Sequence, residues 1–308
     1  MFQALPPAVT VVEVGPRDGL QSEPEVVPTG AKIALVDALS AAGCRHVEAT
    51  SFVNPKWVPQ LADAAAVMAG VQRRPGTVLS ALVPNLRGLE AALEAGVDEV
   101  VIFAAASETF SRKNTNRDIA SALTAYAEVA AAAMAAGRRV RAYVSTVWGC
   151  PYEGPIEART VRHVTHALLA MGAYQVSLGD TIGVATPRRV QAVLELLRRD
   201  LAEPQLALHF HDTRGLGLAN VVAGLDMGIT TYDSSVGGLG GCPYAPGATG
   251  NIATEDLLYM LDDMGIETGI SLRGVIDASR LMMQTLGREL PSRYLRAHLA
   301  RECRSRTA

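Results

Sequence analysis

Apolar and polar positions alternate along the chain in a repeating rhythm of short β-rich runs and longer helical patterns. The runs are VTVVEV (9–14), HVEATSF (46–52), TVLSALV (77–83), EVVIFAA (99–105), RVRAYVST (139–146), YQVSLGD (174–180), LALHFHD (206–212) and TYDSSVG (231–237). Between them lie amphipathic helical stretches such as TGAKIALVDALSAAG, NLRGLEAALEAG and PRRVQAVLELLRRDL. Most of these stop at a glycine just before the next strand, at Gly43, Gly96, Gly137, Gly172 and Gly228. Glycine ends a helix cheaply because it accepts the left-handed conformation. Eight such alternations with short connections predict a parallel sheet, and eight strands close a ring: an α/β protein with a (β/α)8 TIM barrel. A doubly wound open sheet is disfavoured, since no GxGxxG follows the first strand and no composition break marks a switch point. The even spacing predicts one catalytic domain over 1–308, with about 270–308 as a short helical C-terminal extension.

Composition narrows the partners. Hydrophobic residues make up 49% of the chain and charged residues 19%, as a well-buried core requires. The net charge of -3 offers no basic field, so neither nucleic acid nor an anionic membrane is expected as a partner. No apolar run is long enough to span a bilayer. The opening MFQALPPAVTVVEVG has the character of neither a secretory nor an organelle leader, which predicts a cytoplasmic protein. The four cysteines are scattered without a CxxC pair, in keeping with a reducing compartment.

In barrels of this kind the chemistry gathers at the C-terminal ends of the strands. Those ends carry Glu13, Arg17, Asp18 and Gln21 after the first run, and Glu48 and Ser51 in the second. Asp180 and Thr181 close the sixth run, His209 and His211 sit in the seventh, and the eighth empties into VGGLGGCPYAPGATGN. His209 and His211 lie two apart, so they share one strand face. Strands one, seven and eight are neighbours in a closed barrel, which makes Asp18 the natural carboxylate beside them. Two imidazoles and a carboxylate without thiolate suit Mg²⁺ or Mn²⁺, with zinc an alternative. Asn251 reads equally well as a further ligand or as the N-cap of the helix that follows. Cys242, in the glycine-rich loop, is the cysteine placed to meet a substrate. A guanidinium at such a rim, Arg17, is suited to stabilising developing oxyanion charge.

Together VGPRDGLQ, EATSFV, PKWVPQ, GCPYEG, SLGDTIG, HFHDT and GGLGGCPYAPGATGNIATEDLLYML resemble, in order from about residue 9 to about 270, the 3-hydroxy-3-methylglutaryl-CoA (HMG-CoA) lyase family. The resemblance implies a divalent-metal site of Asp18, His209, His211 and Asn251, with Arg17 by the thioester and Cys242 as a catalytic thiol. It assigns Glu48 and Asp180 to the catalytic machinery. Glu13, Gln21, Ser51, Thr181 and Glu255 support the site or bind substrate. The implied reaction is cleavage of an acyl-CoA, HMG-CoA, to acetoacetate and acetyl-CoA, as in leucine degradation and ketogenesis, by a homodimer. A longer 3-substituted glutaryl-CoA such as isohexenylglutaryl-CoA is the alternative substrate. A Claisen-type synthase or a non-catalytic acyl-CoA-binding barrel are more distant alternatives. Arg214, after the histidines, and Phe52, Trp57, Ala104 or Val147 are places where acyl-chain preference could be set.

Overall fold

A computed structural model describes residues 5–241 and 250–307. Eight parallel strands close into a barrel in sequential order: β1 (Thr10–Glu13), β2 (His46–Ser51), β3 (Val78–Leu82), β4 (Glu99–Ala105), β5 (Arg139–Ser145), β6 (Gln175–Asp180), β7 (Leu206–Phe210) and β8 (Thr231–Ser234). The seam is made by β1 pairing with β8, with Val12 opposite Asp233 and Glu13 opposite Ser234. The eight strands fall within the eight β-rich runs of the sequence.

Around the barrel pack α1 (Thr29–Ala41), α2 (Ala64–Gly70), α3 (Leu86–Glu94), α4 (Glu108–Thr115), α5 (Ile119–Ala135), α6 (Ala158–Ala170), α7 (Pro187–Leu197), α8 (Gly217–Asp226) and α9 (Thr254–Asp263). Two more helices, α10 (Leu272–Leu286) and α11 (Arg293–Thr307), form the C-terminal extension. The five helix-ending glycines all have positive φ, between 71° and 104°, which an L side chain adopts only with strain. The main core lies between sheet and helices, where Leu35, Leu39, Val47, Ile102, Val144, Leu168, Leu194 and Leu208 are wholly buried.

The barrel interior is divided. Toward β3 and β4 it is apolar, with Leu82 and Val101 packed on Tyr143. Toward β5, β6, β7 and β8 it is polar, with Arg141, Gln175, Ser177, His209 and Asp233 all buried. That polar half is what the site is built on.

Candidate active site

The turn that follows β1 places two of the key side chains. Pro16 fixes its start, and the amides of Arg17, Asp18 and Gly19 converge on the carbonyl of Val14 at 3.2, 2.7 and 3.1 Å in a single π-helical turn. Gly15 and Gly19 are required by close approach: a Cβ on Gly15 would meet Val236 Cγ1 at 2.7 Å, and one on Gly19 would meet Ser235 Oγ at 2.6 Å. The turn thus lies against the segment leaving β8, and Asp18 is brought toward the end of β7.

There His209 and His211 stand with ring centroids 5.3 Å apart. Asp18, His209 and His211 each offer a ligand atom, all within 4.8 Å of one another. Asn251 joins them because the chain returning after the glycine-rich loop adds to the end of β7. The amide of Asp212 donates to Gly250 O at 2.8 Å, and that of Ile252 donates to Phe210 O at 3.1 Å. The Asn251 Nδ2 amide donates to Asp18 Oδ2 at 2.9 Å. Asn251 is not the helix cap: α9 starts at Thr254 with Ala253 at its N-cap.

The donor set fits a divalent cation. Among the described residues, His211 Nδ1 and Asn251 Oδ1 are buried without a hydrogen-bond partner, which costs free energy unless something occupies their lone pairs. Burial and the neighbouring His209 lower the His211 pKa to about 4, leaving a neutral imidazole able to ligate. Burial opposes charge on Asp18, but Arg17 and the two histidines outweigh it and hold the carboxyl well below its usual range.

Arg17 is 6% exposed and bridges two acids. Its Nε donates to Glu48 Oε1, and its Nη1 donates to Asp18 Oδ1 at 2.6 Å. The guanidinium sits 5.6 Å from the centre of the Tyr143 ring. Burial works against its charge, yet Glu48 and Asp18 push its pKa up, so it stays cationic. Glu48 is completed by Tyr143, whose hydroxyl donates to Oε2 at 2.5 Å.

Above these groups opens a cavity of about 610 Å³. Arg17, Asp18, Gln21, Thr181, His209, His211 and Gly241 are among its polar and backbone lining, while Leu82, Phe103, Phe110, Tyr126 and Val144 supply apolar surface. Of the four apolar side chains named from sequence as places to set acyl-chain preference, Trp57 lines this cavity, and Phe52, Ala104 and Val147 are not among its lining residues.

Several other sequence candidates are turned into the scaffold. Asp180 accepts the amides of Val184 and Ala185 at 2.9 and 3.0 Å, shaping the loop after β6. Burial, opposed by those amides, raises its pKa. Glu13 accepts the amides of Gly15 and Val236 and the Thr254 hydroxyl at 2.8, 2.9 and 2.7 Å. Ser51 donates to Leu82 O at 3.2 Å. Glu255 accepts the Gly237 amide at 2.8 Å and the Ser279 hydroxyl. Arg214 is exposed and donates to the carbonyls of Ile182 and Gly183 at 2.8 and 2.9 Å, away from the cavity lining. Cys242 lies outside the described residues.

Four buried residues went unremarked in the sequence. Asp233 on β8 accepts from Arg141 Nη2 at 2.7 Å and from Ser177 Oγ at 2.7 Å, and it lies 3.3 Å from His209 Nδ1. Arg141 in turn donates to the Tyr143 hydroxyl at 3.2 Å. Arg141 and Tyr143 carried a periodic signal, since residues two apart within RVRAYVST share a strand face, whereas the importance of Asp233 shows only through its partners on other strands.

A family model described as HMGL-like matches residues 8–282. The chain belongs to the HMGL-like family. It is 52% identical over 292 residues to the mitochondrial hydroxymethylglutaryl-CoA lyase of Bos taurus, covering 95% of this chain and 90% of that protein. It is 51% identical over 297 residues to the 3-hydroxy-3-isohexenylglutaryl-CoA/hydroxy-methylglutaryl-CoA lyase of Pseudomonas aeruginosa, covering 96% and 99%. The crystal structure of the HMG-CoA lyase of Bacillus subtilis matches with a TM-score of 0.95 at 49% identity, covering 96% of this chain and 99% of that one. That of an Acinetobacter baumannii HMG-CoA lyase in complex with coenzyme A and 3-methylmalate matches with a TM-score of 0.90 at 40% identity, covering 94% and 95%. In this HMGL-like chain the matched span takes in the whole barrel and the donor cluster at its rim.

Proposed function

We propose that this protein is a divalent-metal-dependent lyase that cleaves HMG-CoA to acetoacetate and acetyl-CoA. The observation that carries the reading is a buried, permanently charged Arg17 in the wall of a substrate-sized cavity, ion-paired to one member of an Asp/His/His/Asn donor set. The level of identity to hydroxymethylglutaryl-CoA lyases, 52% in the bovine case, supports the same reaction.

In the cleavage, the tertiary hydroxyl of the substrate passes its proton to a base at the rim and the bond between the carbinol carbon and the carbon beside the thioester breaks. The electron pair moves onto the thioester as an enolate, and the carbinol carbon becomes the ketone of acetoacetate. Asp18, His209, His211 and Asn251 would hold a Mg²⁺- or Mn²⁺-type ion, which when bound would supply Lewis-acid polarisation of substrate oxygens. Arg17 offsets the enolate charge from inside a buried site, where fixed positive charge acts without reorganisation of solvent. Glu48 and Asp18 hold that guanidinium in place. Protonating the enolate carbon falls to Cys242 or an acidic neighbour, and completes acetyl-CoA. Gln21 and Thr181 hold the substrate in this reading, which their position in the cavity lining supports. Glu13, Ser51, Asp180 and Glu255 act by holding the strand ends and loops that carry the site. A cytoplasmic homodimer serving leucine degradation belongs to the same reading.

The test is direct. Purified protein incubated with HMG-CoA releases acetyl-CoA in the presence of Mg²⁺ or Mn²⁺, stops on adding EDTA, and recovers when the ion is restored. Failure to release acetyl-CoA under any of these metal conditions overturns the proposal. The same assay with isohexenylglutaryl-CoA reads the acyl-group preference.

A further inference from the structure

His209 and His211 stand side by side at the rim, yet their Nδ1 atoms are in different situations. His211 Nδ1 is buried with no hydrogen-bond partner among the described residues. His209 Nδ1 faces Asp233 Oδ2 at 3.3 Å, while its Nε2 faces Asp18 Oδ2 at 3.9 Å. Asp233 itself has little freedom. It is 1% exposed, its Oδ1 accepts Arg141 Nη2 at 2.7 Å, and its Oδ2 accepts Ser177 Oγ at 2.7 Å. Arg141 is pinned in turn by Gln175, whose Oε1 accepts from Nε at 3.0 Å. The register supports the arrangement, because Asp233 lies directly opposite His209 across the β7–β8 pair.

We propose that Asp233, held by Arg141 and Ser177, is a positioning residue that fixes His209 as the Nδ1–H tautomer and so leaves the Nε2 lone pair free for the metal site that it shares with Asp18. A carboxylate accepts and does not donate, so the ring nitrogen facing Asp233 must carry the proton. The other nitrogen is then free to ligate, and the hydrogen bond raises its basicity. Arg141 and Ser177 each donate to one Asp233 oxygen, which orients the carboxylate and leaves Oδ2 to accept from His209. This inference rests on the proposed metal site, and it concerns a residue outside the donor set.

Two measurements test it, neither of them turnover. Imidazole ¹⁵N–¹H spectra of the metal-free wild-type chain at alkaline pH read the tautomer, with His209 signals assigned by their loss in His209→Gln. The expected result is Nδ1–H for His209; an Nε2–H tautomer overturns the proposal without needing any Asp233 variant to fold. Calorimetric titration with Mn²⁺ then compares wild type with Asp233→Asn. Weakening of roughly 10- to 100-fold is expected, as for the loss of an outer carboxylate behind a ligating histidine. Equal Mn²⁺ affinity in the two chains overturns the role of Asp233 alone. Absence of Mn²⁺ binding by the wild type overturns the metal site, and the inference with it.

Discussion

Glu13 offers the sharpest test of the energetics. Its carboxyl is wholly buried and accepts three hydrogen bonds, yet no cation pairs with it among the described residues. Burial raises its pKa from 4.5 to about 7, with the Thr254, Val236 and Gly15 donors pulling the other way. The folded chain therefore holds a proton that the unfolded chain releases between pH 4.5 and about 7. Across that window the native state binds more protons than the unfolded state, so stability falls as pH rises. At about 1.4 kcal/mol per pKa unit, the loss by neutral pH is about 3 kcal/mol. Glu13→Gln removes the titration while keeping the shape. Its carbonyl accepts the two amides, and its NH₂ donates to Thr254 Oγ1, which shares a 2.8 Å hydrogen bond with Ser234 Oγ in which either oxygen donates. Thermal melts of metal-free wild type and variant, taken side by side across this range, isolate the effect because Asp18, His211 and Glu255 titrate in both. The variant's Tm minus that of wild type should rise by roughly 6 °C, at about 2 °C per kcal/mol for a large chain. A difference that stays flat with pH would refute the reasoning, since Glu13 would then titrate like an exposed carboxyl.

Two further substitutions probe the site from either side. Arg17→Gln should lower kcat by about 10²–10³-fold, as for loss of one fixed oxyanion-stabilising group, with far-UV circular dichroism retained; activity within about tenfold of wild type contradicts its role. Arg214→Ala should leave the ratio of kcat/KM for HMG-CoA and isohexenylglutaryl-CoA unchanged, because this side chain bonds the carbonyls of Ile182 and Gly183. A marked shift in that ratio would return substrate selection to this loop.

Local patterning made the barrel legible. Strand runs separated by helices with glycine stops leave few other topologies, and Asp18, His209 and His211 followed from the rule that rim positions carry chemistry. What periodicity could not convey was which way a rim carboxylate faces. Glu13 and Asp180 sit where catalytic acids belong, but both turn to unpaired backbone amides, and the cost of leaving those amides bare decides their orientation. Asp233 was hidden for the opposite reason. Its importance comes from register across β7 and β8 and from an arginine 92 residues away, and neither can be read from neighbours in the chain.

The hydrogen bond between Glu13 and Thr254 joins residues 241 apart, and that between Asp18 and Asn251 joins residues 233 apart. Chain synthesis at about 5–20 residues per second therefore separates the partners by roughly 10 to 50 s. For that interval β1 has an open edge where β8 will dock, and such an edge is a template for pairing with another chain. The bonds that complete the site wait for residues well past the last strand. A nascent chain whose first seven strands have emerged thus lacks the partner that closes the seam until β8 arrives.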